Sequence, residues 1–243
     1  MSAVACESVR AREGVMREAV RFRGGRGALA GELAYPWGAA QFCCLLVNPH
    51  PFMGGSIGNR LVKALSLGLA EAGAVTLRFD YGGVGLSGSP PVNVAASMAQ
   101  FWQTGSAPED PALVEDARYA ARWLRSQSGL PLTLVGYSFG AYAAACLTDE
   151  SPAAMVLISP TVGKHDFGAA VNARILRLVL YGDDDFATPA AAMEAWLRTL
   201  RGPYESHRLP GGQHFFRGKE EEVVRLCRDC LVRTTGKPAG ATT

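Results

Sequence analysis

Short, nearly unbroken apolar runs alternate along the chain with longer stretches in which apolar residues recur every three or four positions. The runs cover 43–47, 74–79, 132–135, 155–158 and 176–181, and their length and lack of alternation suit strands buried on both faces. Between them, residues 59–72 repeat Leu61, Leu65 and Leu69 at helical spacing, 111–125 open on Pro111 and close in basic residues, and 139–147 are rich in alanine. Each of these reads as a helix. Strand and helix in alternation predict an α/β fold with a mostly parallel central sheet and helices on both faces. Upstream, 16–22 and 28–35 carry extended signals around the turn cluster Gly24, Gly25 and Gly27, which predicts an antiparallel N-terminal hairpin at the sheet edge.

Composition narrows the class. With 243 residues, 48% hydrophobic and 19% charged, the chain can bury a real core and is unlike a disordered or collagenous sequence. Residues 1–15 and 236–243 read as tails around one domain over 16–235, the first tail disordered. Twenty-four basic side chains against 22 acidic ones leave a formal charge of +2, too slight for a nucleic-acid surface. A small, roughly neutral partner is expected, and the sequence leaves a homodimer open. Six cysteines are too few for a disulfide scaffold, so the adjacent Cys43 and Cys44 are expected reduced and buried. Cys227 and Cys230 read as residues of a C-terminal helix face, without the second pair a zinc site needs. No stretch resembles a secretory signal or reaches the length of a membrane span, and a soluble, cytoplasmic protein is the expectation.

Candidate chemistry sits where such sheets collect it, at the carboxyl ends of strands. Residues 132–140 read LTLVGYSFG, a buried strand, then Ser138 flanked by Gly136 and Gly140, then a helix: the sharp turn that lifts a nucleophilic serine clear of a sheet. A serine hydroxyl needs a base, and the base needs an anion behind it. His207 lies in the alternation of 204–209 and reads as part of a final strand. His214 follows Pro210, Gly211 and Gly212 in the loop beyond it and is the candidate base. Asp183, Asp184 and Asp185 all follow the 176–181 strand, and by spacing alone the acid among them is undecided; at least two must be structural or solvated. Two backbone N–H groups should face a developing oxyanion. One is that of Phe139, at its helix N-terminus. The other should come from NPHPFMGGS after the first buried strand, where Pro49 and Pro51 have no N–H, leaving His50 first and Phe52 second. No clustered Asp, Cys or His accompanies the His50 imidazole in sequence, so it is expected to orient the loop or line the pocket.

The motifs NPHPFMGG (48–55), RFDYGGVGLSG (78–88), GYSFG (136–140), GDDDFATP (182–189) and GGQHFF (211–216) together resemble the α/β-hydrolase superfamily, in particular its small bacterial-type serine hydrolases with an HPHP-like oxyanion loop. In that family the acid often stands four residues before a proline, which here implies Asp185, with Thr188 where valine is usual. The resemblance implies Ser138, Asp185 and His214 as the triad and the Phe139 and His50 amides as the oxyanion hole. The implied activity is a serine hydrolase acting on an ester or thioester through an acyl-serine, or an acyltransferase or cyclase with another acceptor, needing neither metal nor organic cofactor. Gly83 replaces an arginine usual in the family. Residues 89–109 exceed the usual short link, and Met98, Phe101 and Trp102 within them read equally as a helix packed on the core or a lid over the acyl pocket. With Phe52 and Tyr137 they make up the expected substrate wall. The short 159–174 stretch, where many relatives insert a cap, implies a fairly open site.

Overall fold

A computed structural model describes residues 14–88 and 94–235. Residues 1–13 of the expected 1–15 tail, the 236–243 tail and residues 89–93 of the 89–109 segment lie outside them. Val15, expected in the N-terminal tail, is buried and opens the first strand.

One eight-stranded sheet runs in the order β1-β2-β4-β3-β5-β6-β7-β8. Strands β1 (Val15–Arg23) and β2 (Ala28–Pro36) form the antiparallel hairpin, and β2 joins β4 (Ala74–Phe79) antiparallel. From there β3 (Phe42–Val47), β5 (Leu132–Tyr137), β6 (Ala154–Ile158), β7 (Leu176–Asp184) and β8 (Glu205–Gln213) pair in parallel. This is the α/β fold the alternation predicts.

The nearly unbroken apolar runs have two faces to fill. In β3, Phe42, Cys44 and Leu46 point into a core shared with α1 (Arg60–Glu71) and α7 (Glu220–Thr235). Cys43, Leu45 and Val47 point the other way, toward α3 (Asp110–Ser128) and α4 (Phe139–Ala145). Helix α1 starts where the Asn59 side chain accepts the Val62 N–H at 3.2 Å, and it buries Leu61, Leu65 and Leu69, each worth roughly 1.5–3 kcal/mol of burial. Cys227 and Cys230 are buried on α7 in the same core as Cys44, as a helix face requires. The other α-helices among the described residues are α2 (Val94–Thr104), α5 (Gly168–Val171) and α6 (Ala190–Leu197).

The last strand differs from the expected 204–209. It continues to Gln213, because Gly182 pairs with Leu209 while Asp184 pairs with Gln213, so extra residues of β8 bulge out between the two pairs. Pro210, Gly211 and Gly212 fill that bulge, with Gly211 at φ +63°. The irregularity sets Gln213 beside Asp184 and hence the next residues, His214 and Asp185, side by side.

Candidate active site

Ser138 lies between β5 and α4 with φ 58° and ψ −120°, a conformation that costs a non-glycine residue about 1–3 kcal/mol and persists only where the surroundings enforce it. They do so by close packing. A Cβ on Gly136 would fall 2.2 Å from the Gly140 carbonyl oxygen, and one on Gly140 would fall 2.1 Å from that of Val47. Only glycine at both places lets α4 turn back over the ends of β3 and β5.

The Ser138 Oγ is 2.9 Å from His214 Nε2. On the other side of the ring, His214 Nδ1 lies 2.9 and 3.0 Å from the two carboxylate oxygens of Asp185. Of the three neighbouring aspartates only Asp185 is buried; Asp184 is exposed and Asp183 half-buried. Asp185 Oδ1 also accepts the Ala187 and Thr188 N–H groups at 2.8 and 3.2 Å. Burial pushes its pKa up, but the His214 hydrogen bond and charge and the Ala187 amide outweigh burial and hold it below the ordinary value. An ionised carboxylate accepts only, so Nδ1 carries the proton and Nε2 is left to accept from the serine hydroxyl. His207, by contrast, is half-buried on β8, 3.6 Å from Glu205.

After β3, Asn48 is fixed by its Nδ2 donating to Phe79 O at 2.5 Å and by Tyr81 OH donating to its carbonyl at 2.8 Å. The next residues coil into a short turn over Pro51–Met53. The Phe52 N–H donates to His50 Nδ1 at 3.2 Å, which takes Phe52 out of the competition for an oxyanion. The N–H groups of His50 and Phe139 have no protein acceptor among the described residues.

Folding gives His50 the acidic neighbour that sequence spacing does not. Its Nε2 lies 3.1 Å from Asp110 Oδ1, at the start of α3. Asp110 Oδ2 accepts the Ala107 N–H at 3.1 Å and lies 3.5 Å from His165 Nε2, whose Nδ1 is 2.9 Å from Thr161 Oγ1. Burial opposes the charge on Asp110, yet the bonds from His165, His50 and the Ala107 amide bring its pKa down to about 2. No local signal pairs Asp110 with a histidine sixty residues away; His165 could have been found as a polar residue just past the carboxyl end of β6.

A cavity of about 160 Å³ opens beside Ser138, Phe139, His50 and His214. Of the expected substrate wall, Phe101 and Trp102 line it. Phe101 stacks on the His50 ring, centroids 4.4 Å apart, so α2 both packs on the oxyanion loop and walls the cavity. Met98 is partly exposed and does not reach the cavity, and Phe52 sits behind Phe101 and His50, edge-on to Phe101. Tyr137 requires a correction. It shares the β5 face of Val135 in the opposite core, and its hydroxyl donates to the His214 carbonyl at 2.7 Å; strand alternation carries that signal. Met53, Thr161, Lys164, His165 and Phe186 complete much of the lining. The site is also more covered than a short 159–174 stretch suggested, with Ser138 4% and His214 2% exposed, because α2 supplies a wall from elsewhere in the chain.

No family model matches the chain. It is 28% identical over 228 residues, covering 88% of each chain, to the uncharacterized protein RP471 of Rickettsia prowazekii. Among solved structures it is similar to an α/β serine hydrolase homologue from Coxiella burnetii, with TM-score 0.75 and 27% identity over 87% of this chain and 96% of that one. It is similar also to XC6422 of Xanthomonas campestris, an α/β serine hydrolase without lid, with TM-score 0.78 and 26% identity over 91% and 96%. The chain has the α/β-hydrolase fold, and its structural neighbours are α/β serine hydrolases, which supports a hydrolase. Among the described residues no helix is long and apolar enough to cross a membrane.

Proposed function

We propose that the protein hydrolyses a small carboxylic ester or thioester through an acyl-serine. The observation that carries this reading is the continuous hydrogen-bonded line from Asp185 through His214 to Ser138, set beside two unengaged amides. His214 Nε2 takes the Ser138 proton as Oγ bonds to the carbonyl carbon. The His50 and Phe139 N–H groups bear the oxyanion, and Asp185 the imidazolium. As the intermediate collapses, the bond to the leaving oxygen or sulfur breaks and His214 hands that atom its proton. Water, deprotonated by the same ring, then attacks the acyl-serine and releases the acid, restoring the hydroxyl. The burial of Ser138 among Phe101, Phe139 and Phe186 favours a second reading, acyl transfer to an alcohol or amine, since it restricts water. The free state of the five described cysteines fits the cytoplasmic setting this proposal carries.

The test is direct. Ser138 should be labelled by a fluorophosphonate in the folded protein, and Ser138→Ala should abolish both labelling and ester turnover while melting at a similar temperature. An unlabelled wild-type serine would sink the reading, and added alcohol diverting the acyl group would favour transfer.

A further inference from the structure

The wall of the cavity carries charge of one sign. Among the described residues that line it, Lys164 is the one lysine or arginine, and there is no aspartate or glutamate. Lys164 stands in the tight turn after β6, where its N–H and that of His165 both donate to the Thr161 carbonyl, at 3.1 and 3.2 Å. The base of this turn is held by His165, which stacks on Tyr142 with centroids 4.6 Å apart. The Lys164 stem crosses to the end of α2 and lies over Gly105, where a Cβ would come within 2.7 Å of its Cδ. Lys164 thus shares the lining with the apolar rings of Phe101, Trp102 and Phe186, and its ammonium makes no salt bridge or side-chain hydrogen bond among the described residues. The acid nearest in sequence, Asp166, is turned to the Gly168 N–H at 2.7 Å.

A second cation lies outside the cavity, two ring contacts from its lining. Arg217 sits over the Phe215 ring at 5.7 Å, and Phe215 packs on Phe186, a lining residue, at 5.7 Å. Arg217 also forms no ion pair among the described residues. Both cations are exposed and free to meet a ligand; a neutral substrate gains nothing from them, whereas an anionic one gains an ionic partner at the mouth. The cavity itself, about 160 Å³, is close to the size that holds a benzene ring, roughly 150 Å³, so the buried part of the substrate is small.

We propose that the site takes a short ester or thioester that ends in a carboxylate or phosphate, with Lys164 as the residue that selects for the anion and Arg217 as an outer guide. This rests on the serine hydrolase reading and replaces the roughly neutral partner expected from net charge. The charged group belongs either to the acyl half or to the leaving half, and two substrate pairs separate these. Monoethyl glutarate is compared with its isostere in which an isopropyl group replaces the carboxylate, and para-acetoxybenzoate with para-isopropylphenyl acetate. In at least one pair, the wild type should favour the anionic member in kcat/KM by about tenfold, a preference that shrinks with added salt. Lys164→Gln should lower kcat/KM for that anionic ester about tenfold more than for its neutral partner, and Lys164→Glu should invert the preference. The proposal is overturned if neutral esters are cleaved and neither anionic ester is preferred, or if the preference survives in Lys164→Gln. Absence of turnover on all four esters, with Ser138 unlabelled by fluorophosphonate, would instead remove the hydrolase reading beneath it.

Discussion

His214 and His50 each hold a buried aspartate in the same site, but with opposite nitrogens of the ring. His214 offers Nδ1 to Asp185 and keeps Nε2 at 2.9 Å from Ser138 Oγ. His50 offers Nε2 to Asp110 at 3.1 Å, and its Nδ1 accepts the Phe52 N–H. A backbone amide cannot give up its hydrogen, so the second nitrogen of His50 is occupied by a permanent donor and the ring is held in one orientation as a brace. The second nitrogen of His214 faces a hydroxyl, whose proton can move. Two chemically equal pairs therefore take unequal work: one transfers a proton, the other holds the backbone that presents the His50 N–H. Identity of side chains does not separate them; what meets the far side of the ring does.

Asparagine at 185 should break the first pair most severely. Oδ1 of that side chain already accepts the Ala187 and Thr188 amides, so an asparagine must keep its carbonyl there and turn its NH2 toward His214 Nδ1. The ring then flips tautomer and Nε2–H faces Ser138, unable to accept. Turnover should fall by about 10⁴ with folding retained, the size of this change in other triads, as read from kcat on any cleaved ester.

The same swap at 110 acts on the brace. The Ala107 N–H holds the carbonyl at Oδ2, the NH2 meets His50 Nε2, and the proton that ring must then carry on Nδ1 opposes the Phe52 N–H. The loop loosens and the hole loses alignment. Because losing a whole oxyanion donor costs about 10²–10³ in kcat, Asp110→Asn should cost roughly 10–10² in kcat with KM little changed. Binding of a tetrahedral phosphonate should weaken in proportion to kcat. A loss in thermal stability alone, with kcat intact, would mean that Asp110 serves the fold and not the hole.

Asp110 also separates the pairs by pH. Its folded pKa of about 2 lies below the ordinary 3.8, so its charge stabilises the fold above the unfolded value and that contribution fades as pH falls from about 4 through 2. A depression of this size corresponds to about 2 kcal/mol. Urea unfolding of wild type and Asp110→Asn should therefore differ most near neutral pH and converge by about 2 kcal/mol toward pH 2. A constant difference across that range would show that the histidine bonds do not depress this carboxyl.

What could be read from the chain follows from how local each determinant is. The buried strands were legible because a strand covered on both faces is apolar almost throughout, as 43–47 is; in 74–79 the exceptions, Thr76 and Arg78, are buried with the Ala34 carbonyl and Glu32 as partners. Ser138 was legible because its strained turn demands glycines at fixed offsets. The acid was not separable by spacing among Asp183, Asp184 and Asp185; the family pattern chose Asp185, and the β8 bulge at Pro210, Gly211 and Gly212 is the physical reason it meets His214. Asp110 and Lys164 escaped notice because each reaches the site through contacts made only once α2 and α3 have packed. Tyr137 was misassigned for a different reason, proximity in sequence to Ser138 standing in for direction.

The smallest effect tests that last point. Tyr137 is 2% exposed and donates its hydroxyl to the His214 carbonyl at 2.7 Å. Tyr137→Phe removes one oxygen, leaves the ring packed near Phe216, and strands a buried carbonyl, at a cost of about 1 kcal/mol in stability. Asp185 still grips the imidazole through Nδ1, so kcat should drop by only about two- to fivefold, within that same ~1 kcal/mol. KM should stay where it was for short and long acyl chains alike, because the phenol never meets the cavity. A residue that touched substrate would behave in the opposite way, changing KM with chain length while sparing the backbone at 214. If KM moves with chain length in Tyr137→Phe, the hydroxyl faces substrate after all, and the support assigned to it beneath His214 is wrong.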